Sequence, residues 1–137
     1  MKIVAVRTHA LTLPLHTTFV TALRRTSAIE TLVVQVVAED GTSGFGEAPQ
    51  VWQVTGDSVA GAPACIEGPM AAQLLGRDVH DTVRLLRDVR GAVEGNTSAK
   101  AAIDVAVHDL LARLQEMPLV RWLGGTSMTV ETDQRGH

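Results

Sequence analysis

The chain has 137 residues, 45% of them hydrophobic and 20% charged, with a formal net charge of -3. This balance is typical of one globular domain, alone or with a fragment of a second, and excludes a disordered chain. The ten arginines and two lysines are scattered and only four residues are aromatic, so we expect no nucleic-acid partner. Cys65 is the single cysteine, which excludes an internal disulfide. With no signal peptide or long apolar run, we expect a soluble, cytoplasmic protein without membrane contact.

Three strands are predicted first. Residues 2–13 are rich in Val, Ile and Thr, and Pro14 is expected to end that strand. Residues 29–38 form the second strand, and an Asp-Gly turn leads from it into a third strand over residues 43–48. Residues 14–27 have few periodic apolar positions and are predicted to form a long polar loop.

Helices follow the strands. After a loop over residues 50–56, a first helix is expected to begin late or kink, because Gly and Pro follow its start closely, and to stop around residues 68–69. Residues 81–93 form an amphipathic helix, and residues 119–123 a short helical turn closed by two glycines. Residues 128–133 are predicted to be β-like. Strands followed by helices indicate the α+β class.

The helix over residues 97–114 dominates the second half of the chain. Asn96, Thr97 or Ser98 is expected to cap it, and its polar positions form one thin stripe through Lys100, Asp104 and His108. A helix that is apolar over most of its surface must be covered on several sides. Its many alanines allow a neighbouring backbone to approach closely, so we predict that this helix lies at the centre of the fold.

No nucleophile elbow, phosphate loop or metal-ligand spacing is present. Asp104 and His108 share a helix face, where a surface hydrogen bond is favoured over a ligand pair. Glu47 is interpreted as a buried, paired structural acid or, less favoured, as part of a site. Arg24 and Arg25 either bind an anion through their guanidinium groups or are a solvated pair. The residues alone therefore indicate substrate contacts and no catalytic group.

Several motifs resemble a known family. Residues 99–110, residues 118–125 and the third-strand motif over residues 44–49 are similar to the N-terminal capping domain of the mandelate racemase/muconate lactonizing group of the enolase superfamily. More narrowly, four segments resemble L-Ala-D/L-Glu dipeptide epimerases: residues 19–24, 54–58, 95–100 and 131–133.

The resemblance implies a three-stranded antiparallel meander followed by a helical bundle, an enolase-type cap over residues 1–125. Residues 126–137 would then be the truncated first strand of a (β/α)₈ barrel that this chain lacks, since such a barrel needs roughly 200 residues or more. In the family the barrel holds Mg²⁺ and two catalytic lysines. Lys2 and Lys100 are not in a Lys-x-Lys pair, so no catalytic residue and no metal ligand is expected in this chain.

The resemblance also implies where a small dipeptide substrate would bind. Phe19, Thr21 and Arg24 would belong to a first specificity loop, with Arg24 facing a substrate carboxylate. Val54 and Thr55 would belong to a second. The chain is thus expected to be the substrate-specificity cap of a Mg²⁺-dependent dipeptide epimerase, inactive as a fragment.

Two alternatives stay open. The cap could serve a muconate cycloisomerase or an o-succinylbenzoate synthase, or the chain could be a non-enzymatic binding or assembly module with the cap fold. The epimerase-cap hypothesis predicts that the apolar flanks of the central helix stay exposed and favour self-association, so a homo-oligomer is expected.

Overall fold

The structure is a computed structural model that describes residues 1–22, 25–51, 56–58 and 60–131. Its sheet has three strands, β1 (Ile3–Val20), β2 (Arg25–Ala38) and β3 (Ser43–Pro49). They are antiparallel and lie in the order β1-β2-β3, with the helices following them in the chain. The predicted α+β class and the three-stranded meander are confirmed.

The first two strands are longer than predicted, and the predicted polar loop over residues 14–27 is wrong for most of its length. Pro14 lies within β1 opposite Ala28, and after a register shift Phe19 lies opposite Thr26. Pro14 does not end the strand because β1 is an edge strand, where a missing N–H leaves no ladder bond broken when it faces the open side. The result is a long hairpin that extends past the end of β3.

The helices are α1 (Gly61–Cys65), α2 (Thr82–Ala92), α3 (Thr97–Leu114) and α4 (Leu119–Trp122). The predicted kink after α1 is present, because a π-helical turn (Ile66–Met70) and a 3₁₀ turn (Ala71–Gln73) follow it directly. The predicted stop at residues 68–69 is wrong. Gly68 takes the non-helical angles φ -95° and ψ -106°, and this bend accommodates Pro69 without ending the helical path.

Helix α3 packs against β3 through small residues on both sides. A Cβ added to Gly44 would meet the backbone of Ala106 and Leu110, and one added to Gly46 would meet the backbone of Ala102, closer in each case than real Cβ atoms come. Ala102 and Ala106 are completely buried. The prediction that alanines admit a close neighbouring backbone is confirmed, and the neighbour is the glycine-containing strand.

The expectation that the apolar flanks of α3 stay exposed is wrong. Its apolar residues are almost all buried, and Val105 is the main exception with 45% exposure. The sheet and the other helical segments supply the cover, because the core cluster joins α3 to residues of β2 and of the kinked helix. Asn96 is the N-cap residue, but its side chain donates to the carbonyl of Glu94 instead of the helix.

The chain after α4 has little regular structure. Gly124, with a φ of +85°, ends the short helix as expected of a glycine in that position. The described part of the predicted β-like segment, up to Glu131, pairs with no strand, and its last two residues lie outside the described residues. Among the described helices, none is long and apolar enough to cross a membrane.

Candidate substrate-binding surface

A cavity of about 550 Å³ lies where β3 ends and the β1–β2 hairpin continues beyond it. Because β3 stops at Pro49, no strand among the described residues lies beside this edge of β2 from Arg25 to Glu30. The cavity is lined by Thr12, Arg25, Thr26, Ser27, Ala28, Ile29, Glu30, Glu47, Pro49, Gln50 and Val51. Both acidic and basic side chains therefore face one concave surface, which can hold a small polar molecule.

Glu47 lies on the rim of this cavity. Its Oε1 accepts a hydrogen bond of 2.7 Å from Oγ1 of Thr31, which is only 2% exposed. The favoured interpretation of Glu47 as a buried acid is wrong, because alternation along β3 buries Gly46 and Ala48 against α3 and turns Glu47 to the opposite, exposed face. Glu47 does line the cavity, and the alternative that it is part of a site stays a prediction.

Gln50 is one of the polar lining residues that sequence reasoning missed. It is 93% buried, given an exposure of 7%, and its Nε2 donates to the carbonyl of Ala48 at 2.6 Å. Its backbone N–H donates to the carbonyl of Glu30 at 3.3 Å, which continues the pairing with β2 one residue past Pro49. The available signal in the sequence was a glutamine directly after the proline that ends a strand. That pattern does not distinguish a buried glutamine from a solvated loop residue.

The predicted substrate-binding residues are only partly within the described structure. Phe19 is 54% exposed on β1 opposite Thr26, a lining residue, and Thr21 is exposed just past the end of β1. Neither is itself among the residues that line the cavity. Arg24, Val54 and Thr55 lie outside the described residues. Arg25, the other member of the predicted anion-binding pair, does line the cavity.

The other candidate groups have structural roles. The ring Nδ1 of His108 is 3.1 Å from Oδ1 of Asp104 and 2.9 Å from its backbone oxygen, so the favoured helix-surface interaction is confirmed. Lys100 donates from Nζ to the carbonyl of Val93 at 2.6 Å, which ties α3 to the end of α2. Within the described residues no three His, Cys, Asp or Glu side chains form a group suited to a metal ion.

Two carboxyl groups with clearly lowered pKa lie away from the cavity. Hydrogen bonds from the backbone and ring of His80 lower the pKa of Asp78 to about 2. A hydrogen bond from Arg77 lowers the pKa of Asp88. Asp78 lies shortly before α2 and Asp88 lies within it, and neither residue lines the cavity. Their shifts are therefore marks of structural ion pairs, not of a reacting group.

A meander covered by a central alanine-rich helix, with a ligand-sized cavity beside its hairpin, defines an α+β cap domain of the enolase-superfamily type. The sequence matches the model of the mandelate racemase/muconate lactonizing enzyme N-terminal domain over residues 2–124. The chain belongs to this family.

Known relatives include dipeptide epimerases. The L-Ala-D/L-Glu epimerase of Bacillus subtilis is 36% identical over 133 residues, which are 97% of this chain and 36% of the relative. The L-amino acid-D/L-Glu epimerase of Francisella philomiragia is 36% identical over 132 residues, 96% of this chain and 37% of that protein. The chain thus spans little more than a third of the length of these curated relatives.

The fold of a solved relative agrees. A substrate-liganded complex of the Bacillus subtilis L-Ala-D/L-Glu epimerase superposes with a TM-score of 0.85 at 34% identity, over 90% of this chain and 34% of the other. A dipeptide epimerase from Methylococcus capsulatus, complexed with Mg and the dipeptide L-Arg-D-Lys, superposes with a TM-score of 0.81 at 32% identity, over 90% of this chain and 35% of the other.

Proposed function

We propose that this chain is the substrate-specificity cap of a Mg²⁺-dependent dipeptide epimerase, and that it is inactive by itself. The observation that carries the proposal is the combination of 36% identity to a dipeptide epimerase over 97% of the chain with a polar cavity beside the β1–β2 hairpin. Recognition belongs to the residues around that cavity. Removal and return of the substrate's α-proton belong to the remaining part of the complete enzyme.

The described side chains support a binding role and offer no proton-transfer pair. Lys100 donates to the carbonyl of Val93, which follows α2, and Lys2 is exposed directly before β1, at the end of that strand far from the hairpin end. The described acidic and histidine residues form no group that fits Mg²⁺, so we assign none of them to the ion and derive no step through it. We propose a bound Mg²⁺ only for the complete enzyme.

What this chain's residues contribute is selection and enclosure of the substrate. Arg25 can hold a carboxylate through two parallel hydrogen bonds, and Glu47 can hold a positively charged group. Phe19, together with the predicted contacts Thr21, Arg24, Val54 and Thr55, would exclude water from the bound dipeptide. Binding energy gathered by such a cap positions the reacting carbon and improves the chemical step elsewhere.

A cap exchange tests the proposal. We would join this chain to the remainder of the Bacillus subtilis epimerase in place of that enzyme's own cap, and measure kcat/KM for a panel of acidic, neutral and basic dipeptides. We expect epimerisation with a changed order of preference. A hybrid with the parent's order of preference contradicts the assignment of specificity to this chain, and turnover of muconate instead of dipeptides favours the cycloisomerase alternative. The parent enzyme, treated identically, is the control.

A further inference from the structure

The sheet has one face that packs against helix α3 and another that is largely exposed. The even-numbered residues 32–38 of β2 and 44–48 of β3 are buried, and the backbone of α3 lies directly against Gly44 and Gly46. Side chains alternate between the two faces of a sheet, so the odd-numbered residues of these strands lie on the other side. We call the odd-numbered residues 5–13, 29–37 and 43–49, which the register brings side by side, the outer face.

Large apolar side chains cluster on the outer face. Leu11, Leu13, Ile29 and Phe45 are each between 39% and 48% exposed, and Val33 lies half-buried on the central strand. An antiparallel sheet with one face in water usually carries polar side chains there. Exposed apolar residues that share one face indicate an interaction surface. The expected homo-oligomer, for which the buried flanks of α3 offer no surface, can form here.

Charge is separated across the outer face. Strand β1 carries Arg7 and His9, beside Gln35 and Val33 of the central strand, and β3 carries Glu47 beside the same Val33. Two strand spacings put the backbones of β1 and β3 about 10 Å apart. Neither Arg7 nor Glu47 forms an ion pair among the residues that the structure describes. The outer face therefore has a basic strand at one side and an acidic strand at the other.

We propose that the outer face is the interface with a second copy of this chain, with a two-fold axis that runs parallel to the strands through β2. This axis lays β1 of each copy over β3 of the partner copy, row by row. Arg7 and His9 of one copy then face Glu47 of the other, and Leu11 faces Pro49, at two equivalent places. The copies of Val33 meet at the axis. Two sheets packed in this way lie about 10 Å apart with strand directions within about 30°.

The charge pattern selects this axis. A two-fold interface uses the same surface on both copies, so that surface must be complementary to itself. An axis running across the strands would lay β1 over β1 and β3 over β3, which brings the basic strands together and the acidic strands together. Like charges placed face to face oppose association. The axis along the strands instead pairs each basic strand with an acidic one.

The size of the outer face predicts a weak, reversible dimer. At about 4.8 Å between strands and about 3.3 Å per residue, the part opposite the seven residues of β3 covers roughly 330 Å². A stable interface of ordinary size buries about 800 Å² on each partner. Glu47 also lines the cavity, so a positively charged ligand and a second copy compete for its carboxylate. The dimer does not rest on the proposed function, because it requires only the sheet.

Sedimentation velocity of the purified chain tests the interface. We expect a monomer–dimer equilibrium with a dissociation constant between about 1 μM and about 1 mM. A chain that stays monomeric at about 1 mM would overturn the proposal. So would association beyond two copies, since a two-fold interface is closed.

Charge reversal assigns the dimer to the outer face and to the proposed axis. Arg7→Glu and Glu47→Lys, made singly, each place like charges at both equivalent contacts and should weaken the dimer about tenfold. Made together in one chain, they exchange the two charges and should restore the affinity. Glu94→Lys is the matched control, with the same change of charge at an exposed position after α2, and it should leave the dissociation constant unchanged.

Circular dichroism establishes which variants are folded before their association is compared. Folded single variants that associate as the unaltered chain does would contradict the outer face as the interface, and so would a folded double variant that stays as weak as the single ones. Glu47→Lys removes the acceptor of the buried Thr31 hydroxyl and can fail to fold. In that event Arg7→Glu and the unaltered chain decide, because Arg7 is exposed and its replacement leaves that hydrogen bond in place.

Discussion

Asp109 of the central helix accepts a hydrogen bond of 2.9 Å at Oδ2 from the backbone N–H of Phe45, on the free edge of β3. Arg113 donates from Nε to the same oxygen at 2.8 Å, and its guanidinium carbon lies 5.5 Å from the centre of the Phe45 ring. The outer strand of a sheet presents unpaired N–H groups that can recruit another chain. Asp109 covers one of them and fixes α3 against the sheet.

Replacing Asp109 with alanine should lower the free energy of unfolding by about 2 kcal/mol, because the N–H of Phe45 and the guanidinium of Arg113 both lose their acceptor. Urea denaturation followed by circular dichroism measures the change. Glu94→Ala is the control, since Glu94 is exposed and should cost less than about 0.5 kcal/mol. Equal urea midpoints for Asp109→Ala and Glu94→Ala would show that the contact of Asp109 with the sheet edge adds no stability.

Gly46→Ala should destabilise the fold by about 3 kcal/mol or prevent folding, because the new Cβ meets the backbone of Ala102 and neither segment can move away easily. Gly91→Ala is the matched control within α2, where a Cβ meets nothing within 4 Å. That control should stabilise the protein by up to about 1 kcal/mol, as expected for alanine in a helix. A Gly46→Ala protein with wild-type stability would mean that α3 and β3 lie farther apart than described.

Glu67 protects the opposite edge of the sheet. Its Oε1 accepts from the backbone N–H of Thr8 at 2.8 Å and from the Thr8 hydroxyl at 2.5 Å. In Glu67→Ala the Thr8 amide should exchange with deuterium about tenfold faster, because its acceptor is gone, while the amide of Val36 in the central strand keeps its rate. Unchanged exchange at Thr8 would count against the edge contact in solution.

Acid should weaken the fold through Asp78 and Asp88. Their pKa values are lowered in the folded state, by His80 and by Arg77 respectively, with that of Asp78 reduced from 3.8 to about 2. A carboxyl group whose pKa is lower in the folded than in the unfolded state stabilises the fold at pH values above its ordinary pKa. This stabilisation is lost as the pH falls through the lowered pKa. The free energy of unfolding should therefore fall between pH 3.8 and about 2. Asp78→Asn should flatten that slope, and an unchanged slope would contradict the role of the His80 contacts.

Local patterns predicted the fold well where they coincide with packing. The alanine positions of α3 predicted the close approach of a neighbouring backbone, whereas the glycines of β3 were identified as its partner only in the structure. Pro14 misled, because a proline on an edge strand and a proline that ends a strand have the same local sequence. Most of residues 14–27 lie in strands because β1 pairs with β2. This pairing is a long-range effect that local hydrophobic periodicity does not predict.

The candidate site was less accessible to sequence reasoning. The sequence analysis named Glu47 as a candidate. Its exposure could be known only once the structure placed Gly46 and Ala48 against α3. Gln50 could not be recognised, since its burial and its backbone bond to Glu30 arise only in the assembled fold. The substrate contacts assigned from family resemblance stay predictions: Phe19, Thr21, Arg24, Val54 and Thr55.

The proposed division between substrate recognition in this chain and proton transfer in the rest of the complete enzyme is tested most directly by α-proton exchange. L-Ala-L-Glu is incubated in deuterated buffer with Mg²⁺ and the purified chain, and the loss of its α-proton signals is followed by nuclear magnetic resonance, with the cap-exchange hybrid as positive control. The account predicts exchange at the buffer rate with the chain alone and faster exchange with the hybrid. Exchange above the buffer rate with the chain alone would contradict it.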